Sequence, residues 1–277
     1  MTAPVSFVHA TPEGLPALRV AYERRGAGEP LVLLHGIGHH WQAWEPVLGI
    51  LAASYDVIAL DLPGFGASPA LPAGIGYDVP SVVRALAATF KALGVDRPHV
   101  AGNSLGGLLA LELGREKLVR SVTALSPAGF WTEGERRYAF GVLGAMRAGA
   151  KLLPQPVVAQ LARTAVGRMA LTGSIYARPG RRSPQAVADE TRALREATGF
   201  AQTLTVGRAG VRFTDDIPDV PVTIAWGSRD RLLPRRQGIR AKHTIPDARL
   251  VRLPGCGHVP MSDDPARVAR VILDTAR

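Results

Sequence analysis

The sequence predicts an α/β fold: a mostly parallel sheet flanked by helices, with a helical stretch inserted late in the chain. Three observations carry that expectation. Apolar runs such as Pro30–Leu34 and Asp56–Leu60 are nearly unbroken, as strands covered on both faces must be. Stripes of apolar residues at helical spacing alternate with those runs. The runs end in glycine-rich turns, and parallel sheets bind ligands beyond the carboxyl ends of their strands.

Val5–Val8 and Leu18–Tyr22 read as two short strands, a hairpin at one edge of the sheet. The run Pro30–Leu34 ends at His35-Gly36-Ile37-Gly38, where two glycines allow a sharp turn that leaves amides near Ile37 unpaired. Trp41, Trp44, Val47, Leu48 and Leu51 follow helical spacing and cover this strand. The next run, Asp56–Leu60, leads into Asp61-Leu62-Pro63-Gly64, in which Asp61 reads as an organiser of its own turn rather than a catalytic acid. Val79, Val82, Val83, Leu86, Phe90 and Leu93 make one helical stripe that stops at Gly94. His99 opens a further strand, a small-residue helix follows it, and Ser121–Leu125 is strand again. From about Phe130 to Thr205 the alternation stops, and three helical stretches are expected near 135–150, 155–171 and 184–198. Alternation resumes with Val220–Gly227, a helix near 235–243, the strand Arg249–Leu253 and a last helix opened by Asp264 and Pro265.

At 277 residues and 47% hydrophobic, the chain can bury a sizeable core as one large domain or one domain with an insertion. A basic segment followed by an apolar core is missing from the start of the chain, so no signal peptide is expected. No apolar run approaches the roughly 18 residues of a membrane span. The single cysteine, Cys256, cannot form an intrachain disulfide, and a reducing cytoplasm is the expected compartment. Cys256 itself reads as a small packing residue. Net charge is +10, and +7 of it lies between Trp131 and Gly210, where twelve basic residues face five acidic ones. That excess reads as solvated arginines rather than an anion-steering surface. With aromatics at 6% and no accompanying motif, a nucleic-acid partner is not expected.

Chemistry concentrates at Gly102-Asn103-Ser104-Leu105-Gly106, a Gly-x-Ser-x-Gly segment placed between a strand and a helix. Gly102 and Gly106 let backbones approach where a Cβ would collide, and the turn lifts the Ser104 hydroxyl to a helix N-terminus that favours negative charge. A serine hydroxyl is a poor nucleophile unless a base takes its proton and a third group orients that base. Asp230 follows the run ending in Trp226-Gly227, and His258 follows the next run within Pro254-Gly255-Cys256-Gly257. Both can therefore reach back over the sheet toward Ser104. Asp230 could instead pair with Arg229 or Arg231, yet its joint occurrence with His258 at strand ends favours a triad. His35 reads as structural, and His39 with His40 lacks the carboxylate or cysteine company of a metal site. His99 and His243 read as surface positions. Phe130 and Trp131, at the start of the insertion, are expected to line a substrate pocket together with Gly36 and Asn103, with ordinary hinge packing as the equal alternative for the two aromatics.

These pieces resemble the α/β-hydrolase family along nearly the full chain. The matching segments are His35-Gly36-Ile37-Gly38, Asp61-x-x-Gly64-x-Gly66-x-Ser68, Gly102-Asn103-Ser104-Leu105-Gly106-Gly107, Trp226-Gly227-x-x-Asp230 and Gly257-His258. The resemblance implies an eight-stranded sheet whose core is residues 1–130 and 206–277, with residues 131–205 as a helical cap between the sixth and seventh strands. It implies the Ile37 and Leu105 amides as an oxyanion hole, no cofactor and no metal. Dehalogenases and epoxide hydrolases of this fold carry aspartate where this chain has Ser104, so those chemistries drop away. The expected activity is hydrolysis of a carboxylic ester of a small or medium apolar molecule. Two alternatives stand beside it. Gly-Asn-Ser-x-Gly-Gly resembles the elbow of meta-cleavage-product hydrolases, which cut a C–C bond in dienoic keto acids. Against that, Val259 follows His258 where those enzymes tend to have an aromatic, and His39-His40 replaces their proline–glycine pair. The other alternative is a ligand binder that kept the fold. Substrate and oligomeric state are not encoded in any motif here.

Overall fold

The structure, a computed structural model, describes residues 5–277. The edge hairpin consists of β1 (Ser6–Ala10) and β2 (Leu18–Arg25), which pair antiparallel and run further than the apolar pattern predicts. Then come β3 (Pro30–Leu34), β4 (Asp56–Leu60), β5 (His99–Asn103), β6 (Ser121–Leu125), β7 (Val222–Gly227) and β8 (Arg249–Leu253). The eight strands lie in the order β1-β2-β4-β3-β5-β6-β7-β8, with β3 to β8 mutually parallel and β2 antiparallel to β4. Strands β4 to β7 are buried throughout, which is what their continuous apolar runs require. Strand β7 starts two residues later than expected because Pro221 has no N–H for the ladder; its carbonyl still accepts from Val122 N at 2.9 Å.

Helices α1 (Glu45–Leu51), α2 (Val79–Ala92) and α3 (Leu105–Arg115) cover the first half of the sheet. Asp78 caps α2 by accepting from Ser81 N, a contact that contributes about 1 kcal/mol at a helix start. Between β6 and β7 stand five helices: α4 (Glu133–Leu152), α5 (Gln155–Ala162), α6 (Ala165–Thr172), α7 (Pro184–Glu196) and α8 (Phe200–Arg208). Sequence periodicity anticipates three. The middle stretch splits because the Thr164 hydroxyl accepts from Gly167 N at 3.0 Å and starts a new helix. Helix α8 has no readable stripe, and the expected domain boundary at residue 205 falls inside it. Helices α9 (Arg236–Thr244) and α10 (Pro265–Thr275) close the chain, α10 capped by Asp264.

One large apolar core runs through the sheet and its flanking helices and takes in Ala139 and Phe140 of α4 and Phe200 of α8. The outer helices α5 and α7 share a separate small cluster of Val158, Ala162, Val187 and Ala188. Several arginines between α4 and α8 are not solvated as expected. Arg168 donates to the carbonyls of Ala162 and Gly180 at 2.7 Å each, Arg195 to those of Ala150 and Leu153, and Arg147 to that of Ala197. They satisfy carbonyls at helix C-termini, where cations also complement the helix dipole. His99 is a second correction: it is buried, with Nδ1 at 2.8 Å from the Ser121 hydroxyl and Nε2 at 3.3 Å from Glu29. His243 is exposed, as expected. Among the described residues, no helix is long and apolar enough to cross a membrane.

Candidate active site

Four loops meet at the carboxyl end of the sheet, following β3, β5, β7 and β8. After β3, the His35 ring donates from Nδ1 to the Gly36 carbonyl at 2.7 Å and accepts at Nε2 from Leu62 N at 3.0 Å. Both ring nitrogens are thereby occupied, and burial pushes its pKa down to about 3, so His35 is a strut. Asp61 does organise its turn: its carboxylate accepts from Trp41 N at 2.6 Å and Ala67 N at 2.8 Å. Burial raises Asp61 to about 6 against the pull of those two amides.

After β5 comes the tight turn. A Cβ on Gly102 would lie 2.0 Å from the Gly106 carbonyl oxygen, and one on Gly106 would lie 2.1 Å from that of Leu34. Glycine alone fits both places. Ser104 has φ 56° and ψ −113°, a backbone that L side chains rarely adopt, and such strain gathers at functional sites. Its conformation is held by Ser104 N donating to the Leu125 carbonyl at 3.0 Å, while its own carbonyl accepts from Leu108 N and Ala128 N at 3.0 Å each. Leu105 N, first in α3, and Ile37 N, in the loop after β3, both lack an acceptor among the described residues.

After β7, Asp230 accepts from Leu232 N at 3.0 Å and Leu233 N at 2.8 Å through Oδ1 and faces His258 Nδ1 at 2.9 Å through Oδ2. Arg231 turns away to the Gly173 carbonyl at 3.0 Å, so Asp230 pairs with the histidine rather than with that arginine. His258 is pinned by its own N donating to the Ile175 carbonyl at 2.8 Å and by its carbonyl accepting from Asn103 Nδ2 at 2.9 Å. With Asp230 on Nδ1, the lone pair falls on Nε2, which is buried and has no partner. Cys256, two residues earlier, is buried, and burial raises its thiol to about 12. It is a packing residue.

Two cavities meet at Ser104. One is lined by Gly36, Asn103, Ser104 and His258 below and by Met146 and Glu190 above. The other is apolar, with Leu108, Trp131, Phe140, Leu143 and Val206 in its wall. Of the expected pocket residues, Gly36 and Asn103 line the first and Trp131 the second. Phe130 lines neither; its ring packs on Phe213 with centroids 5.8 Å apart. Sequence reasoning missed His39 and Glu190. Glu190 is a buried acid on the apolar face of α7, beside Val187 and Thr191, and that misfit was its only sequence signal. Burial alone would raise its pKa, but Arg182, His39 and Tyr176 outweigh that and hold it below the usual range. Among the described residues, no group of three or more His, Cys, Asp or Glu side chains is placed to hold a metal ion.

A profile of the Alpha/beta hydrolase family matches residues 31–271, and the chain belongs to that family. A pimeloyl-[acyl-carrier protein] methyl ester esterase of Aeromonas hydrophila is 30% identical over 270 residues, covering 92% of this chain and 98% of its own. A 2-hydroxy-6-oxononadienedioate/2-hydroxy-6-oxononatrienedioate hydrolase of Dechloromonas aromatica is 27% identical over 278 residues, 95% of this chain and 92% of its own. In fold, the chain is similar to a thermophilic esterase from Thermogutta terrifontis, with a TM-score of 0.77 at 20% identity, over 98% of this chain and 97% of that one.

Proposed function

We propose that this alpha/beta hydrolase cleaves the carboxylic ester of a small or medium apolar molecule through an acyl-enzyme on Ser104. The observation that carries the reading is the placement of Ser104 where two cavities meet, neither of them lined by a lysine or arginine. Residues 131–205 act in this reading as a helical cap that roofs both cavities.

In this reading the chemistry runs through groups carried by the strand-end loops. His258 Nε2, which makes no hydrogen bond among the described residues, closes on Ser104 Oγ and takes its proton as that oxygen attacks the ester carbonyl. Asp230 holds the Nδ1–H tautomer and stabilises the imidazolium. The carbonyl oxygen, now an oxyanion, accepts from the free N–H groups of Ile37 and Leu105, and each such donor contributes about 100-fold or more in rate. His258 then gives its proton to the leaving alcohol, a water attacks the acyl-enzyme, and the same steps in reverse release the acid. No cofactor enters these steps.

A second reading, C–C cleavage of a dienoic keto acid, is favoured by the Dechloromonas aromatica relative and by Asn103 beside the nucleophile. Its substrate carboxylate would need a cation in the cavity. No lysine or arginine lines it, and Arg182, behind the lining Glu190, already donates to that carboxylate at 2.6 Å. Comparing turnover of a short p-nitrophenyl ester with that of a meta-cleavage-type keto acid separates the two. Ester turnover with little keto-acid cleavage is the expected result, and efficient keto-acid cleavage with feeble esterase activity would replace the first reading by the second.

A further inference from the structure

Ester cleavage by Ser104, Asp230 and His258 leaves one polar feature of the cavity unused. Glu190 and His39 face that cavity from the side of α7 and from the loop after β3, and both are buried, at 6% and 7% exposed. Glu190 Oε2 is saturated: it accepts from the Tyr176 hydroxyl at 2.8 Å and from Arg182 Nη2 at 2.6 Å. Glu190 Oε1 is not. Its nearest partner is His39 Nε2 at 3.8 Å, beyond hydrogen-bond reach. A structural ion pair with Arg182 needs only one edge of the carboxylate, so the open edge has no structural explanation.

The protonation states follow from the surroundings. Burial lowers His39 to about 4, only partly offset by Glu190, so its ring is neutral near pH 7. Facing a carboxylate oxygen, Nε2 carries the proton, since a lone pair there would be repelled. The gap therefore presents one acceptor, Oε1, and one donor, Nε2–H, 3.8 Å apart. A hydroxyl oxygen can sit about 2.8 Å from both ends of such a gap, donating to Oε1 and accepting from Nε2–H. A carboxylate cannot donate and is repelled, and a methylene satisfies neither group.

The same Glu190, with Met146 and Leu194, also lines a wider, more open cavity between α4, α6 and α7. Glu190 thus stands between the space over Ser104, which it shares with His39, and the outer space.

We infer that Glu190 and His39 form a specificity subsite for a hydroxyl group carried on the arm of the substrate that leaves the apolar cavity, with the remainder of that arm passing Met146 and Leu194 outward. The inference rests on the ester-cleaving reading and deepens it: the preferred substrate is a hydroxylated ester with an apolar group on the other side of the scissile bond. Specificity of this kind comes from the unpaired groups left behind when the hydroxyl is missing.

The test uses butyrate esters of 2-hydroxyethyl, 3-hydroxypropyl and 4-hydroxybutyl alcohols against length-matched propyl, butyl and pentyl butyrates, followed by pH-stat. The unaltered enzyme is expected to prefer a hydroxylated ester over its alkyl match by about tenfold or more in kcat/KM at one chain length. In His39→Phe and Glu190→Gln that ratio, measured within each variant, is expected to shrink toward one. Turnover of all the esters with no hydroxyl preference at any length would overturn the inference and leave ester cleavage standing. A preference undiminished in both variants would also overturn it. Failure to turn over any ester would remove the ester-cleaving reading and this subsite with it.

Discussion

Around Ser104 the chain is held backbone against backbone, whereas the helices above it are held largely by side chains, with Gly167 against the Leu161 carbonyl and Gly199 N on the Gly64 carbonyl as backbone contacts among them. Below, Gly102 and Gly106 pack against carbonyls at distances no Cβ could tolerate, and Ser104 is wedged into a left-handed conformation by three backbone hydrogen bonds. Above, α4 is tied to α9 by Glu135 meeting Arg236 and Arg240, and α5 to α7 gather on a cluster of four small buried residues. Packed backbone has one arrangement and transmits any change as strain. Side-chain contacts can be exchanged one at a time. In the proposed reading the contrast separates the reacting groups, all on loops at the strand ends, from the substrate pocket, which the helices above share with those loops.

The largest effect should come from the crest. Ser104→Ala is expected to lower ester turnover by roughly 10⁴-fold or more while leaving the thermal unfolding midpoint nearly unchanged. Retention of turnover would break the distinction at its base. Gly106→Ala, which drives a methyl into the Leu34 carbonyl, should cost about 4 kcal/mol or more and yield little folded protein on expression. Glu135→Ala removes both the arginine contacts and the capping box at the start of α4. A loss of about 2 kcal/mol, read from the urea midpoint, is the expected cost of that change. By contrast, Gly149→Ala adds a Cβ to α4 where nothing lies within 4 Å, and should stabilise the protein by up to about 1 kcal/mol. If Gly106→Ala and Gly149→Ala had similar effects, the two regions would not differ as described.

Acid should also act on the crest. His35 and His39 protonate near 6.5 in the unfolded chain but only near pH 3 and 4 in the folded one. Between those values the unfolded chain binds more protons, so stability falls as pH drops from 6.5 toward 4. Asp61 works in the opposite sense between pH 4 and 6, since its folded pKa is raised to about 6, and it offsets part of the fall. Urea midpoints measured from pH 7 to pH 4 check the sign, and His35→Asn is expected to flatten the slope from a lower starting stability.

The same contrast explains what was legible in the sequence. Strands β3 to β6 are marked by apolar runs that a doubly covered sheet requires, and their bounds match the structure closely. Strand β8, a largely exposed edge strand, is legible from its alternation with the neighbouring helices. The turn at Ser104 shows itself because glycine spacing encodes close backbone approach directly. The region above follows no such local rule. Helix α8 carries no stripe because it rests on α4 and on the loop after β4, where Gly199 N donates to the Gly64 carbonyl at 2.9 Å. His39 and Glu190 meet across 151 positions, and nothing at either place announces the other. Phe130 was expected in the pocket for its position, yet Phe213 offered a closer partner. His99 looked exposed because its partners, Ser121 and Glu29, come from other parts of the chain.

The most direct test of Ser104 as the nucleophile is intact-mass analysis after treatment with a fluorophosphonate. The account predicts one adduct per chain, located on Ser104 by peptide mapping, absent from Ser104→Ala and accompanied by loss of ester turnover. An unlabelled but active enzyme, or an adduct that persists in Ser104→Ala, would contradict it.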